Sequence, residues 1–297
     1  MRAVRLIAPG GPEDLLIEEI DRPVPAVGEA LVRVHAAAIT RDELEWPVDR
    51  LPATPSYELS GVVEQIGERV VELAPGDEVF ALTPFDRDGV AAEYAAVAAG
   101  FLARKPKATG HIESAAIPMG TLTGWQGLFV HGGLQPDERV LILGAAGGVG
   151  HLAVQLARSR GARVIGTASG TGLAIARSSG ADEVIDRTAG RFEDAIEPVD
   201  LVFDTACGEL LGRSPHVLRP GGRIVTVAES PPEGVEATYF VVEPDRDQLV
   251  EISALVDRGE LRPTIDRVYD LGDARAAFER SLEQGKRGKV VLHVGGD

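Results

Sequence analysis

A single cysteine, Cys207, in 297 residues excludes an internal disulfide and any zinc site built on several thiolates. Long apolar runs are missing too: no stretch approaches the roughly 18 residues of a membrane span, so no membrane partner is expected. Positive charge is scarce. Lys and Arg total 30 against 46 Asp and Glu, a net charge of −16, which opposes long-range attraction to a polyanion and argues against nucleic acid as a partner. The opening residues, Met1-Arg2-Ala3-Val4-Arg5-Leu6, lack the apolar core and small-residue cleavage site of a secretion signal and read as a short strand, so a cytoplasmic location is expected. Acidity does not exclude a small anionic ligand, because backbone N–H groups and one or two local cations act at short range. Repeats, low-complexity linkers and disordered arms are also absent from the pattern.

Hydrophobic residues make up 44% of the chain and charged residues 26%, an ordinary globular balance, and the length suits two domains better than one core. The first hundred residues carry short apolar runs broken by Gly, Pro and Asp: Ala30 to Val34, Gly61 to Gly67, Asp77 to Phe80 and Ala92 to Ala95. That punctuation predicts a small β-rich domain. From about residue 112 strands alternate with helical stretches. Arg139 to Leu143, Ala162 to Thr167, Glu183 to Asp186, Val199 to Asp204 and Arg223 to Ala228 predict an α/β domain, a parallel sheet covered on both faces. Gln248 to Val256 reads as the last helix of that domain. The tail then reads as a strand (Thr264 to Tyr269), a helix (Asp273 to Glu283), a basic turn (Lys286, Arg287, Lys289) and a strand (Val290 to Val294). Periodicity leaves open whether the tail closes the α/β sheet or returns to the first domain.

Between the first two strands of the α/β region lies Gly144-Ala145-Ala146-Gly147-Gly148-Val149-Gly150, followed by a helix with Leu152, Ala153, Leu156 and Ala157 on one face. Strand, tight turn and helix N-terminus together offer unpaired N–H groups to a pyrophosphate, so Ala146, Gly147, Gly148 and Val149 are candidate cofactor-binding residues. Ala145 stands where the tight turn usually has glycine, Gly147 admits the phosphate, and Gly150 lets helix and strand pack closely. The setting reads as the opening βαβ unit of a Rossmann-type dinucleotide-binding domain. At the end of the second strand an Asp or Glu would hold the ribose 2′-hydroxyl of NAD. Here Gly166-Thr167-Ala168-Ser169-Gly170 has no carboxylate, Ser169 can donate to a phosphate and Arg187 can add a cation, which favours NADPH.

Taken with the stretches Ile39 to Leu44, Tyr57 to Val63, Ala74 to Phe80, Phe85 to Gly89 with Ala92 to Tyr94, Leu122 to Gln126, Gly180 to Asp186 and Leu218 to Gly222, the chain resembles the zinc-free quinone oxidoreductase branch of the medium-chain dehydrogenase/reductase superfamily. The resemblance runs over nearly the whole length. It implies an α/β plus β fold, a Rossmann doubly wound parallel sheet with a GroES-like β-barrel domain. Residues 1–111 and 262–297 would form the GroES-like catalytic domain and 112–261 the NADP-binding domain, with the active site in the cleft between them and a homodimer joined through the edge strands of the Rossmann sheets. It further implies that Thr123 starts a helix near the nicotinamide, that Thr205 and Ala228 line the cofactor, that Phe240, Val241 and Val242 pass beside the nicotinamide ring, and that Arg287 and Lys289 return near the cofactor. For those two cations a solvated basic turn is an equal alternative.

Zinc-dependent relatives bind catalytic metal through residues matched here by Thr40, Tyr57 and Met119, none a good zinc ligand, so no metal is expected. Two departures from the commoner zinc-free pattern stand out: Thr40 where Asn is usual, and a shorter loop between residues 44 and 56. Without a metal, hydrogen-bond donors must stabilise the oxyanion that hydride transfer creates, and the catalytic candidates are Thr40 and Tyr57, with Arg41 a charged alternative. For Tyr57 the other reading is a packed aromatic that merely fills the vacated metal site. Quinones and α,β-unsaturated carbonyls suit such a site because conjugation spreads the charge. The expected activity is NADPH-dependent transfer of hydride to a quinone or enone. The alternatives are an NADPH-binding member with a non-catalytic role, or a reductase of a different carbonyl. His35 is expected to be structural and Cys207 a packing residue, and His131 and His151 have no partners at metal-ligand spacing.

Overall fold

The computed structural model describes every residue except Val48, Cys207, Gln284, Gly296 and Asp297, so the reading of Cys207 as a packing residue lies outside the described residues. The first strands are β1 (Arg2–Leu6), β2 (Leu15–Glu19), β3 (Glu29–Ile39), β4 (Glu58–Ile66), β5 (Glu78–Leu82), β6 (Tyr94–Ala98) and β7 (Ala103–Arg104), followed by helices α1 (His111–Ala115) and α2 (Pro118–Trp125). Strands and helices then alternate through β8 (Arg139–Leu143), α3 (Gly150–Ser159), β9 (Arg163–Ala168), α4 (Gly172–Ser178), β10 (Glu183–Asp186), β11 (Val199–Asp204), α5 (Glu209–Arg213), β12 (Leu218–Thr226) and β13 (Thr238–Tyr239). The tail holds α6 (Arg246–Asp257), β14 (Ile265–Asp270), α7 (Ala274–Leu282) and β15 (Lys289–His293). Among the described residues no helix is long and apolar enough to cross a membrane.

The chain divides into two compact units. Unit 1 comprises Met1–Met119, Pro244–Gly259 and Ile265–Asp297, and unit 2 comprises Gly120–Glu243 and Glu260–Thr264. Helix α6, read from the sequence as the last helix of the α/β domain, groups with unit 1. Its apolar residues Leu249, Ile252 and Val256 are buried, a periodicity that says one face is covered but not by what. Polar ties give the partner: the Asp257 carboxylate accepts the Ala108 N–H at 2.9 Å, and Arg246 pairs with Glu72.

Unit 2 is a parallel sheet in the order β10-β9-β8-β11-β12-β13, every neighbouring pair parallel. Counted within the unit this is 3-2-1-4-5-6, the doubly wound Rossmann order, whose direction reverses between β8 and β11. Helices on both faces explain the unbroken apolar run of β8, where Val140, Leu141, Ile142 and Leu143 are all fully buried. The core joins Leu141, Leu143, Ile165, Val202, Leu211 and Ile224. Unit 1 is a GroES-like domain built on a mixed sheet, β14-β15-β3-β4-β5-β7, with β6 branching from β3, and on the hairpin β1-β2. Strand β15 pairs antiparallel with β3, Val290 opposite Ile39, so the tail lies in this sheet. Val32, Val34, Leu59, Leu102, Phe278 and Leu292 belong to its core.

Beneath that sheet His111 of α1 meets three strands: its Nδ1 is 2.8 Å from Ser60 Oγ, its Nε2 is 3.3 Å from Glu78, and its ring lies 4.2 Å from that of His35. Burial, then the neighbouring His35, pushes the His111 imidazole down to about 4 from its ordinary 6.5. Between those values the unfolded chain binds the extra proton, so the contribution of His111 to stability is full above 6.5 and falls with pH, by about 2–3 kcal/mol. The acids Glu43 and Asp204, pushed up by burial to about 8 and about 6, act in the opposite sense. The His111 effect is therefore read as a difference: on acidification from pH 7 to pH 4, wild type is expected to lose about 2–3 kcal/mol more than His111→Gln in urea unfolding. Parallel losses would remove His111 from the acid response.

Candidate active site

The glycine-rich turn of unit 2 is shaped by close backbone approach. Gly144, not Ala145, takes the left-handed conformation (φ +78°), so the alanine at the usual glycine place carries no conformational penalty. A Cβ at Gly150 would come 2.1 Å from the Gly144 carbonyl oxygen, so only glycine lets α3 start this close to the end of β8. The Gly147 N–H donates to Gly144 O at 2.9 Å. Among the described residues the N–H groups of Ala146, Gly148 and Val149 have no acceptor, and these are the orphan donors of a helix start that an anion satisfies.

His151 joins this turn to a distant segment. Its ring is fully buried on α3. Nε2 accepts the Thr264 N–H at 2.9 Å, which leaves the proton on Nδ1 to bond Gly147 O at 2.7 Å. A neutral imidazole thus ties the turn to the segment 260–264. The sequence holds the signal, a His on the apolar stripe of a helix four residues after a turn glycine.

The other candidates of unit 2 gather at the carboxyl ends of its strands. The Arg187 N–H donates to Ala168 O at 3.0 Å, placing Arg187 beside Ser169. Ser169 is half-buried, and Arg187 is exposed with no ion pair among the described residues. Thr205 Oγ donates to Leu143 O at 2.7 Å, joining the ends of β11 and β8 at the reversal point. Ala228 follows β12, its N–H donating to Thr226 Oγ at 3.3 Å. Phe240 is buried, its ring 4.4 Å from that of His131, while Val241 is 60% exposed. Thr123 is buried in the interior of α2 rather than at its start. Asp204 escaped the sequence reading. Fully buried, it accepts from Thr226 Oγ at 2.8 Å and from the Ala206 N–H at 3.1 Å and so orders the turn that carries Thr205.

In unit 1 the positions matched to zinc ligands hold groups of another kind. Tyr57 is fully buried between Trp46 and Phe85, with ring centroids 5.5 and 5.3 Å away. Its hydroxyl accepts from Arg50 at 3.1 Å. Burial raises the phenol pKa, against the Arg50 charge, which lowers it. Thr40 follows the end of β3, half-buried; its N–H donates to Glu43 at 3.1 Å, and its Oγ lies 3.4 Å from the Lys289 Nζ. Lys289 pairs with Glu58, whose other oxygen accepts the Met119 N–H at 2.9 Å. A threonine hydroxyl, a phenol held protonated and a thioether do not make a zinc site. Among the described residues no three His, Cys, Asp or Glu are grouped to hold a metal.

The two tail cations part company. Arg287 is exposed, its N–H bonded to Asp266 at 2.8 Å. Lys289 is not in a solvated turn: it is the first residue of β15, only 4% exposed, with its charge against Glu58. Strand pairing with β3 draws it inward, which the short spacing of basic residues could not tell. Glu43 and Glu58 were also missed, although a carboxylate leading the apolar run Glu58-Leu59-Ser60-Gly61-Val62-Val63 is itself a sign of a buried charge with a partner.

Comparison with known proteins agrees with this geometry. The alcohol dehydrogenase GroES-like domain family matches residues 26–107, and the zinc-binding dehydrogenase family matches residues 179–292. An NADPH-dependent alkenal/one oxidoreductase of Arabidopsis thaliana is 34% identical over 95% of this chain and 77% of its own. The quinone oxidoreductase of Mus musculus is 29% identical over 98% and 97%. The solved quinone oxidoreductase from Coxiella burnetii superposes with a TM-score of 0.91 at 28% identity, covering 99% of each chain. With both halves of its fold, its turn geometry and these relatives in agreement, the chain belongs to the medium-chain dehydrogenase/reductase superfamily and is an oxidoreductase.

Proposed function

We propose that this oxidoreductase reduces a quinone or an α,β-unsaturated carbonyl with NADPH and without zinc. The observation that carries the reading is the Thr40 hydroxyl, half-buried and backed by a buried ammonium at the place where zinc-dependent relatives have a metal ligand. When bound, NADPH supplies the hydride. The free N–H groups of Ala146, Gly148 and Val149 hold its pyrophosphate, and Ser169 with Arg187 holds the 2′-phosphate. Thr40 donates to the acceptor's carbonyl oxygen as negative charge develops there. Conjugation in the acceptor spreads that charge, so one neutral donor suffices where a simple ketone would need a stronger acid. The relatives named for quinones and for alkenals support this substrate class. The same reading includes a homodimer at the edge strand β13, near which Tyr239 and Val241 are exposed.

The test follows NADPH oxidation with 1,2-naphthoquinone and with a small enone. Turnover is expected with both. Thr40→Val is expected to lower kcat about 100-fold, the usual effect of removing one donor to a developing oxyanion. Tyr57→Phe should leave kcat within about twofold, since the phenol is buried against Arg50, and should cost about 1 kcal/mol of stability. Tight NADPH binding with no turnover over a broad panel of acceptors would instead establish a non-catalytic role.

A further inference from the structure

For Arg287 and Lys289 the resemblance implied a place near the cofactor and the residues alone a solvated basic turn; Lys289 sits among buried acids in unit 1. Its ammonium touches two groups, the Glu58 carboxylate and the Thr40 hydroxyl. Both oxygens of Glu58 are engaged, one by that contact and the other by the Met119 N–H. Glu43, fully buried, accepts the Thr40 N–H with one oxygen, and its other oxygen has no partner at hydrogen-bond geometry among the described residues. Burial keeps Glu43 protonated at neutral pH, so the cluster carries one cation, one anion and no net charge. Lys286, half-buried nearby, is pushed down to about 8 by burial and then by the charges of Lys289 and Arg41, against Asp266 and Asp42, which raise it. An ion pair alone would not need the threonine. Here the ammonium shares its protons between a carboxylate and a hydroxyl, and only the hydroxyl belongs to a residue that is partly exposed.

We propose that Lys289 is a positioning residue that supplies, through the Thr40 hydroxyl, the proton that completes reduction of the acceptor. The inference rests on the reading of Thr40 as the donor to the substrate. In the balanced step, hydride adds two electrons and a C–H bond at the β-carbon of an enone, and the π pair moves to oxygen as an enolate. The Thr40 Oγ–H bond breaks as its proton passes to the enolate. A proton from the Lys289 ammonium re-forms that bond, leaving a neutral amine beside Glu58, and a fresh proton from bulk solvent restores the ammonium. The net reaction consumes NADPH and one proton. Glu58 holds the ammonium in place, and Glu43 orients Thr40 through its N–H.

Lys289→Arg separates charge from proton supply, because a guanidinium keeps the pairing with Glu58 but is not deprotonated in proteins. Wild type and variant are compared with NADPH and a small enone, in light and heavy water. The variant is expected to melt within a few degrees of wild type and to bind NADPH within about twofold by calorimetry. Its kcat should fall about 100-fold, the scale of general acid catalysis, with a larger solvent isotope effect. Added to Thr40→Val, it should lower kcat no further. Should arginine not fit, the pair Glu58→Gln with Lys289→Met, which removes both charges together, is expected to give the same loss. A kcat at the wild-type level in a folded variant overturns the relay while leaving the enone reading intact, as does a weakened NADPH affinity at unchanged kcat, or a fall additive to that of Thr40→Val. Absence of wild-type turnover with every enone and quinone overturns both.

Discussion

Replacing Ser169 by Asp and Arg187 by Ala in one variant is expected to reverse the cofactor preference. The two residues lie side by side because β9 and β10 are parallel neighbours and the Arg187 N–H closes on Ala168 O. One offers a hydroxyl and the other an uncommitted cation, the combination that suits a 2′-phosphate. Removing a charge-assisted contact and adding a like charge should weaken NADPH about 100-fold, roughly 3 kcal/mol. The new carboxylate can accept from the ribose hydroxyls of NADH, which should bind better than in wild type. Calorimetry with both cofactors reads the ratio directly. An unchanged ratio, or tighter binding of NADH than NADPH by wild type, would show that the 2′-phosphate is held elsewhere or not at all. Stability should hardly move, since neither side chain is buried.

Gly150→Val is expected to do the reverse and damage the fold along with the site. The contacts that an added Cβ would meet are all backbone: 2.1 Å to Gly144 O, 2.8 Å to Gly144 C and 2.9 Å to Ala145 Cα. No rotamer change relieves them. Either α3 retreats from β8, opening the core under Leu152 and Leu156, or the turn deforms. Overpacking of this kind costs about 3 kcal/mol, which should lower the melting transition of unit 2 by roughly 6–12 °C. Because Ala146, Gly148 and Val149 ride on the same turn, NADPH binding should fall with it. A variant that melts and binds like wild type would show that the close approach of helix and strand is not what aims those N–H groups.

Some of this was legible in the primary sequence, because it is local. Arg139–Leu143, Glu183–Asp186 and Val199–Asp204 appear as strands with the residues read for them; in the first and third, buried almost throughout, the apolar run shows itself without any partner being known. The glycine turn was legible for the same reason, although its left-handed residue is Gly144 and not the next position. Strand β13 was not read, its two residues having no periodicity to show. The start of β12 was missed as well: the strand read from Arg223 begins at Leu218.

By itself the sequence determined a dinucleotide-type βαβ unit and a second β-rich domain, because each depends on residue type and short spacing; that Thr40, Tyr57 and Met119 stand where zinc-dependent relatives have ligands came from the family resemblance. The tertiary structure decided what lies against what. Pairing of β15 with β3 brought Lys289 to Glu58 and Thr40, more than 200 positions earlier in the chain, and made a residue of the basic turn part of a buried cluster. The packing of Trp46 and Phe85 made Tyr57 an interior ring, and the return of the segment 260–264 gave His151 its partner. The charge and burial of these groups are set by long-range neighbours, and no local pattern of residues encodes them.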